Sequence, residues 1–232
     1  MGVQEKISMK RLDRSRHAAP QVFEQLRELI IALELTPGTV LSRAELAERF
    51  GLSQTPIRDA LIRLAEEDLV DIFPQHATVV TQISVSSARQ AHFLRRSIEL
   101  EVVRKLALDA SATLIARLRG YIDLQQTVTG SGDYRDFVAA DQAFHQHMYE
   151  AAGVPDLWAL VRRLSGHLDR LRRLHLPKEG KAEAVIRDHR RIVDAISKRD
   201  PDGAATRVQQ HLSGTLGQVD DIRARFPEFV TD

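Results

Sequence analysis

The sequence predicts a mainly α-helical protein in two parts. Three helices and a β-hairpin occupy residues 21–82, and an all-α antiparallel bundle of about six helices fills 86–232. Three observations carry this. Apolar residues recur at helical spacing in most segments, the single stretch with a two-residue period falls near 69–81, and no later segment alternates. Composition sets the outer limits. With 33 Lys and Arg against 32 Asp and Glu in 232 residues, and 43% hydrophobic residues, the chain is near neutral and apolar enough to fold. Cysteine is absent, which removes disulfide scaffolds, thiolate zinc sites and cysteine nucleophiles and leaves His, Asp and Glu as the strong metal ligands. The apolar run Leu29-Ile30-Ile31-Ala32-Leu33 is far shorter than the roughly 20 residues of a membrane span. Residues 1–20 hold no signal-peptide core, so a cytoplasmic protein without a membrane partner is expected.

Residues 1–20 carry Lys6, Lys10, Arg11, Arg14 and Arg16 against Glu5 and Asp13, without hydrophobic periodicity, which reads as a flexible basic tail ending at Pro20. From Gln21 the spacing of Val22, Leu26, Leu29, Ile30 and Leu33 makes an amphipathic helix that stops before Pro37-Gly38. Ser42 opens a second helix, with Glu45 completing a capping box and Gly51 ending it. Ser53 caps a third, in which Ile57, Ala60, Leu61 and Leu64 form the buried stripe. The period then drops to two, giving β-branched strands at 69–73 and 78–81 around Pro74-Gln75-His76-Ala77. Two short helices joined by Gly51-Leu52, with a helix before and a hairpin after, describe a winged helix-turn-helix whose third helix would lie in a DNA major groove. Charge opposes this: 21–82 hold five cations and ten acids, a net of −5, where DNA readers are usually basic. Segregation of Glu66, Glu67, Asp68 and Asp71 to the far end of the third helix would resolve it.

The run PGTVLSRAELAERFGLSQTPIRDALIRLAEEDLV (37–70) resembles the DNA-binding domain of GntR-family bacterial transcription regulators, with similarity from about 20 to 82. The resemblance implies that Ser53, Thr55 and Arg58 contact double-stranded operator DNA. Gln54 stands where the family usually has Arg, and Ala44 where it often has another, for which Arg43 is expected to substitute. Gln pairs naturally with adenine N6 and N7 and Arg with guanine, so the preferred operator should differ from the family's commonest half-site. Gln75-His76-Ala77 replaces the usual glycine-rich wing tip, leaving His76 as the groove probe.

Residues 83–85 read as a linker, with Ser86 capping the next helix. Helices are then expected at about 86–110, 113–128, 131–152, 154–176, 179–199 and 201–224, broken at Gly130-Ser131-Gly132, Gly153, Pro177 and Asp200-Pro201. Asp141 and His145, four apart, share a helix face. His189 lies on the next-to-last helix and His211 22 residues later on the last. One carboxylate and three imidazoles from three helices suit a borderline divalent cation such as zinc, nickel or manganese. The plainer alternative is a surface Asp–His pair with ordinary core histidines. Arg95 and Glu99, also four apart, make an intrahelical pair. Arg162, Arg163, Arg170, Arg172 and Arg173 read as a solvated face or dimer rim, and His147, His167 and His175 as ordinary polar contacts.

This half resembles the FCD domain, the all-helical effector-binding domain of the FadR subfamily of GntR regulators, and its six-helix VanR-like group. The two similarities together span about 20–220. The resemblance implies that Asp141, His145, His189 and His211 bind one divalent metal ion, zinc first with nickel or manganese as alternatives. It also implies that Arg95 points into the effector cavity and grips a carboxylate with two charge-assisted hydrogen bonds. The expected protein is a ligand-responsive regulator, a homodimer that binds operator DNA and a small organic acid, with repression as the expected output. Effector binding would change operator affinity by a coupling energy of about 1–3 kcal/mol. Two rivals stand beside it. In one the metal is purely structural; in the other the chain is a metal-dependent hydrolase with Glu99 or Glu101 as base. No Ser-His-Asp constellation or phosphate-cradling glycine loop accompanies that base, so an enzyme is not expected.

Overall fold

The computed structural model describes residues 9–73, 77–129, 134–176 and 180–232. His76 at the expected hairpin tip lies outside the described residues, as do the helix breaks at Gly130-Ser131-Gly132 and Pro177. The chain separates into two compact units, Met1–Ala88 with Gly166–Arg173 and Asp221–Asp232, and Arg89–Ser165 with Leu174–Asp220. The first unit thus includes two short stretches from the region that the sequence reading assigns wholly to the helical domain.

In the first unit α1 spans Ala18–Ile31, earlier than the expected start at Gln21. Pro20 sits in its first turn, where a missing N–H costs nothing. Residues 9–17 are not a free tail. Gln25 accepts the Lys10 N–H (2.9 Å) and donates to the Lys10 carbonyl (3.0 Å), and Gln21 does the same with Asp13 (2.8 and 2.9 Å). Met9 and Leu12 pack against the core built on Val22, Leu26, Ile57 and Leu61. Helix α2 (Arg43–Phe50) follows the expected caps: Ser42 Oγ accepts the Glu45 N–H, and Gly51 takes φ 65°. Ser53 precedes α3 (Gln54–Glu66), but its hydroxyl makes no capping hydrogen bond.

The wing is a three-stranded antiparallel sheet in the order β1-β3-β2. Strand β3 (Thr78–Val80) pairs with β2 (Val70–Ile72), as Asp71 opposite Val79, and with the unanticipated β1 (Val40–Leu41), as Val40 opposite Val79. The expected linker is instead strand β4 (Ile83–Ser84), paired in parallel with β5 (Val230–Thr231). Ser84, not Ser86, caps the following helix α4 (Val85–Leu108), its hydroxyl accepting the Ser87 N–H at 3.1 Å.

The remaining helices are α5 (Ala112–Thr129), α6 (Tyr134–Ala151), α7 (Pro155–Leu164), α8 (Gly166–His175), α9 (Lys181–Ser197), α10 (Pro201–Leu216) and α11 (Val219–Arg225). Two of the six expected segments are therefore split, at Ser165 and near Gly217. Ser165 turns its hydroxyl back to the Val161 carbonyl (2.7 Å), and a Cβ on Gly166 would stand 2.7 Å from Leu69 Cδ2. In the second unit α5 packs on α6 and α9, and α9 on α10, around Phe144, Met148, Ile186, Ile192 and Val208. No helix among the described residues is long and apolar enough to cross a membrane.

Candidate metal centre and DNA-reading helix

Helix α6 carries Asp141 and His145 one turn apart, α9 carries His189 and α10 carries His211. One ligand atom from each lies within 4.8 Å of all the others. His211 Nε2 is 3.3 Å from His145 Nε2 and 3.2 Å from His189 Nε2, and His189 Nε2 is 3.7 Å from Asp141 Oδ1. Asp141, His145 and His189 are at most 1% exposed. Phe144 stacks on the His189 ring with centroids 4.2 Å apart.

Each imidazole turns its other nitrogen outward to an oxygen. His145 Nδ1 stands 3.0 Å from Glu99 Oε2 on α4, His189 Nδ1 2.8 Å from Gln125 Oε1 on α5, and His211 Nδ1 3.9 Å from Asp188 Oδ2 on α9. Gln125 Oε1 favours the ring proton on His189 Nδ1 and the Glu99 carboxylate favours it on His145 Nδ1, which turns Nε2 inward as an acceptor on each, while His211 Nδ1 is too far from Asp188 for a hydrogen bond. The Nε2 atoms of all three rings face one another beside a carboxylate, an arrangement that a divalent cation would complete. The donor set therefore fits a cation held by Asp141, His145, His189 and His211.

Electrostatics agree. Burial pushes the His145 imidazole down although Glu99 opposes it, so the ring is neutral. Burial alone would raise the Glu99 carboxyl, but the Arg95 guanidinium and His145 outweigh it and hold it down to about 2. The neighbouring His211 imidazole lowers the Asp188 carboxyl. Burial likewise works against the Arg95 charge, and Glu99 and Asp141 overcome it. Arg95 Nε donates to Glu99 Oε1 at 2.7 Å, so the intrahelical pair forms. Its Nη2 is nevertheless buried without a hydrogen-bond partner among the described residues.

Sequence reasoning names the four converging residues and Arg95 but omits Gln125, Asp188 and Tyr149, the last buried where the Glu99 charge reinforces burial in raising its phenol. Asp188 has a visible signal, its adjacency to His189; Gln125 has none. His147 points to other company, its Nδ1 3.6 Å from Glu150 and its ring 5.4 Å from Tyr121. The basic run also needs correction, because Arg170 is wholly buried. Its Nη1 donates to the Thr81 carbonyl (2.7 Å) and its Nη2 to the Thr81 hydroxyl (3.2 Å).

In the reader, Ser53, Gln54, Thr55 and Arg58 are exposed at the start of α3, and Arg43 is exposed at the start of α2. Among the described residues Arg58 has only a loose contact with Asp59 (3.4 Å), both side chains about half exposed or more, so its guanidinium is available. At the other end of α3 Glu67 takes a 2.6 Å contact from Arg27 Nε, which neutralises one of the acids that oppose DNA binding.

Fold and site together define a class, a winged-helix DNA reader joined in one chain to a helical unit with a buried, cation-ready centre. Residues 18–80 match the bacterial regulatory proteins of the gntR family, and residues 90–214 match the FCD domain. An uncharacterized HTH-type transcriptional regulator in an unstable DNA locus of Streptomyces ambofaciens is 35% identical over 212 residues, covering 91% of this chain and 89% of that one. The HTH-type transcriptional repressor RspR of Escherichia coli K12 is 32% identical over 203 residues, covering 88% and 89%. The solved structure of E. coli McbR/YncC shares the fold, with a TM-score of 0.75 at 19% identity over 91% of this chain and 99% of that one. The chain belongs to the GntR family of bacterial transcription regulators and carries an FCD domain. It is a DNA-binding regulator, not an enzyme.

Proposed function

We propose that this regulator senses a small organic acid at a divalent cation and converts its binding into a change in operator affinity. The observation that carries the reading is the convergence of Asp141 with the Nε2 atoms of His145, His189 and His211. These four residues would hold the cation, zinc first with nickel or manganese as alternatives. When bound, it supplies a Lewis-acidic centre whose remaining positions take carboxylate oxygens. Arg95 Nη2, a buried donor without a hydrogen-bond partner among the described residues, would take another oxygen of the same anion. Glu99 and Gln125 would hold the ring protons of His145 and His189 on Nδ1 and so keep those imidazoles aimed inward.

In the reader, which we place at 21–82, Arg43, Ser53, Gln54, Thr55, Arg58 and the hairpin-tip His76 would contact operator DNA as a cytoplasmic homodimer. RspR is named a repressor, which supports repression as the output. Linkage requires that an acid preferring one arrangement of the helical unit change operator affinity by the same factor that DNA changes acid affinity.

A second reading has its own support. Asp141, His145 and His189 are so deeply buried that a cation there could serve only to pin the bundle. Calorimetric titration of sugar acids and dicarboxylates into zinc-loaded and chelator-treated protein separates the two. The sensing reading expects an acid to bind the loaded form only, and to weaken a gel shift with the upstream DNA by about 5–150-fold. Zinc binding without binding of any acid leaves the structural cation as the answer.

A further inference from the structure

We propose that Glu99 is a positioning residue common to both halves of the sensing site, holding His145 for the cation with one oxygen and Arg95 for the anion with the other. This deepens the function proposed above and rests on it. Oε2 stands 3.0 Å from His145 Nδ1, Oε1 accepts the Arg95 Nε–H at 2.7 Å, and the residue is fully buried. In that setting water cannot substitute for either partner.

Three consequences follow from one carboxylate serving two partners. With its proton kept on Nδ1, His145 presents the Nε2 lone pair to His211 and to the shared centre. With Nε engaged, the planar guanidinium of Arg95 is fixed, and its unpartnered Nη2 has a set direction. The two contacts also compete for the same negative charge. When His145 Nε2 is engaged, Nδ1–H becomes the stronger donor and draws on the carboxylate, so the strength of the Arg95 contact changes with it. Glu99 thereby couples the metal side of the site to the anion side.

The experiment uses the full-length protein, with zinc alone as the probe and histidine ring NMR as a readout that needs no ligand. In metal-free wild type, His145 (assigned by its loss in His145→Gln) should be the Nδ1–H tautomer. In Glu99→Gln that preference should be lost, and the zinc Kd should rise about 10–100-fold. Arg95→Met should change the zinc Kd in the wild-type background and change it at least about threefold less in the Glu99→Gln background. An unchanged tautomer, a zinc Kd within about threefold of wild type, or strictly additive effects of the two substitutions overturns the proposal while leaving the metal reading standing. Wild-type protein that binds no zinc removes both, and this shows before any substitution is made. Should circular dichroism find Glu99→Gln unfolded, Glu99→Asp is read in its place. It keeps the charge but is one methylene short of meeting both partners, and its zinc Kd should rise about tenfold; no rise overturns the proposal.

Discussion

His145 and His167 are both almost inaccessible to solvent, and each belongs to a cluster with a buried arginine, yet their ring nitrogens meet different things. His167 Nδ1 accepts the Ser84 N–H at 2.9 Å and stands 3.0 Å from Arg170 Nη2, whose guanidinium also donates to the Thr81 carbonyl and hydroxyl. These contacts tie α8 to the strand-like segment 81–84, and the histidine has no lone pair left over. In the helical unit His145 Nε2 faces His211 Nε2, and His211 Nε2 faces His189 Nε2. Burial and residue type are the same in both places. The difference is that one cluster spends its ring nitrogen on backbone and guanidinium donors, whereas the other brings three imidazole nitrogens and a carboxylate to one buried point, a donor set that a cation would satisfy.

The largest expected effect tests that contrast directly. Chelator-treated protein given zinc at about 1,000 times its Kd should gain about 4 kcal/mol of stability, read as a rise in Tm. His189→Ala should abolish the gain and His167→Asn should leave it intact. A gain that survives His189→Ala would place the zinc elsewhere.

The His167 cluster has its own signature in pH. Burial first, and the Arg170 charge second, hold His167 down to about 4 from 6.5. As pH falls, the unfolded chain therefore takes up this proton before the folded one does. The stability that neutral His167 confers is complete above about pH 6.5 and is lost between about 6.5 and 4, a change on the order of 3 kcal/mol. In His167→Asn, where Oδ1 can still accept the Ser84 N–H but nothing titrates, urea midpoints should fall less steeply across that window. Equal slopes in the two proteins would mean that the ring is not held neutral.

How far the molecule can be read from its sequence depends on whether a signal is local. The caps of α2 are legible because Ser42, Glu45 and Gly51 act on the turn beside them. The gathering of Asp141, His145, His189 and His211 is legible in part, since a four-residue step and isolated histidines on amphipathic helices leave few faces to choose from. Strand β1 is not legible, because two residues cannot show alternation and its partner is 39 residues on. The stretch at 83–84 reads as linker for the same reason, its partner strand lying at the other end of the chain. Gly166 does carry a signal, a glycine inside a helical pattern, and marks the α7–α8 break together with the close approach of Leu69. Gln125 carries no signal for its contact with His189, and Glu99 shows only its four-residue step to Arg95, because a contact with an imidazole Nδ1 imposes no spacing in the sequence. Arg170 defeats the reading outright: in a run of arginines nothing local shows which one will meet buried carbonyls.

The smallest effect concerns that arginine. Burial lowers its pKa to about 10, which still leaves it charged at neutral pH, so the guanidinium has been desolvated without a carboxylate to compensate. Its contribution comes from charge-assisted bonds to Thr81, offset by that desolvation. Arg170→Met fills much of the same volume and escapes the desolvation cost but strands the Thr81 carbonyl. The net loss should be about 2 kcal/mol in urea unfolding, the scale of one buried acceptor left unmet. Zinc affinity should not change, because the hydrogen bonds of this arginine go to Thr81, Gln82 and His167. A larger loss of stability accompanied by weaker zinc binding would show that the two clusters are energetically one, and the distinction between a closed core network and an open ligand site would then have to be drawn elsewhere.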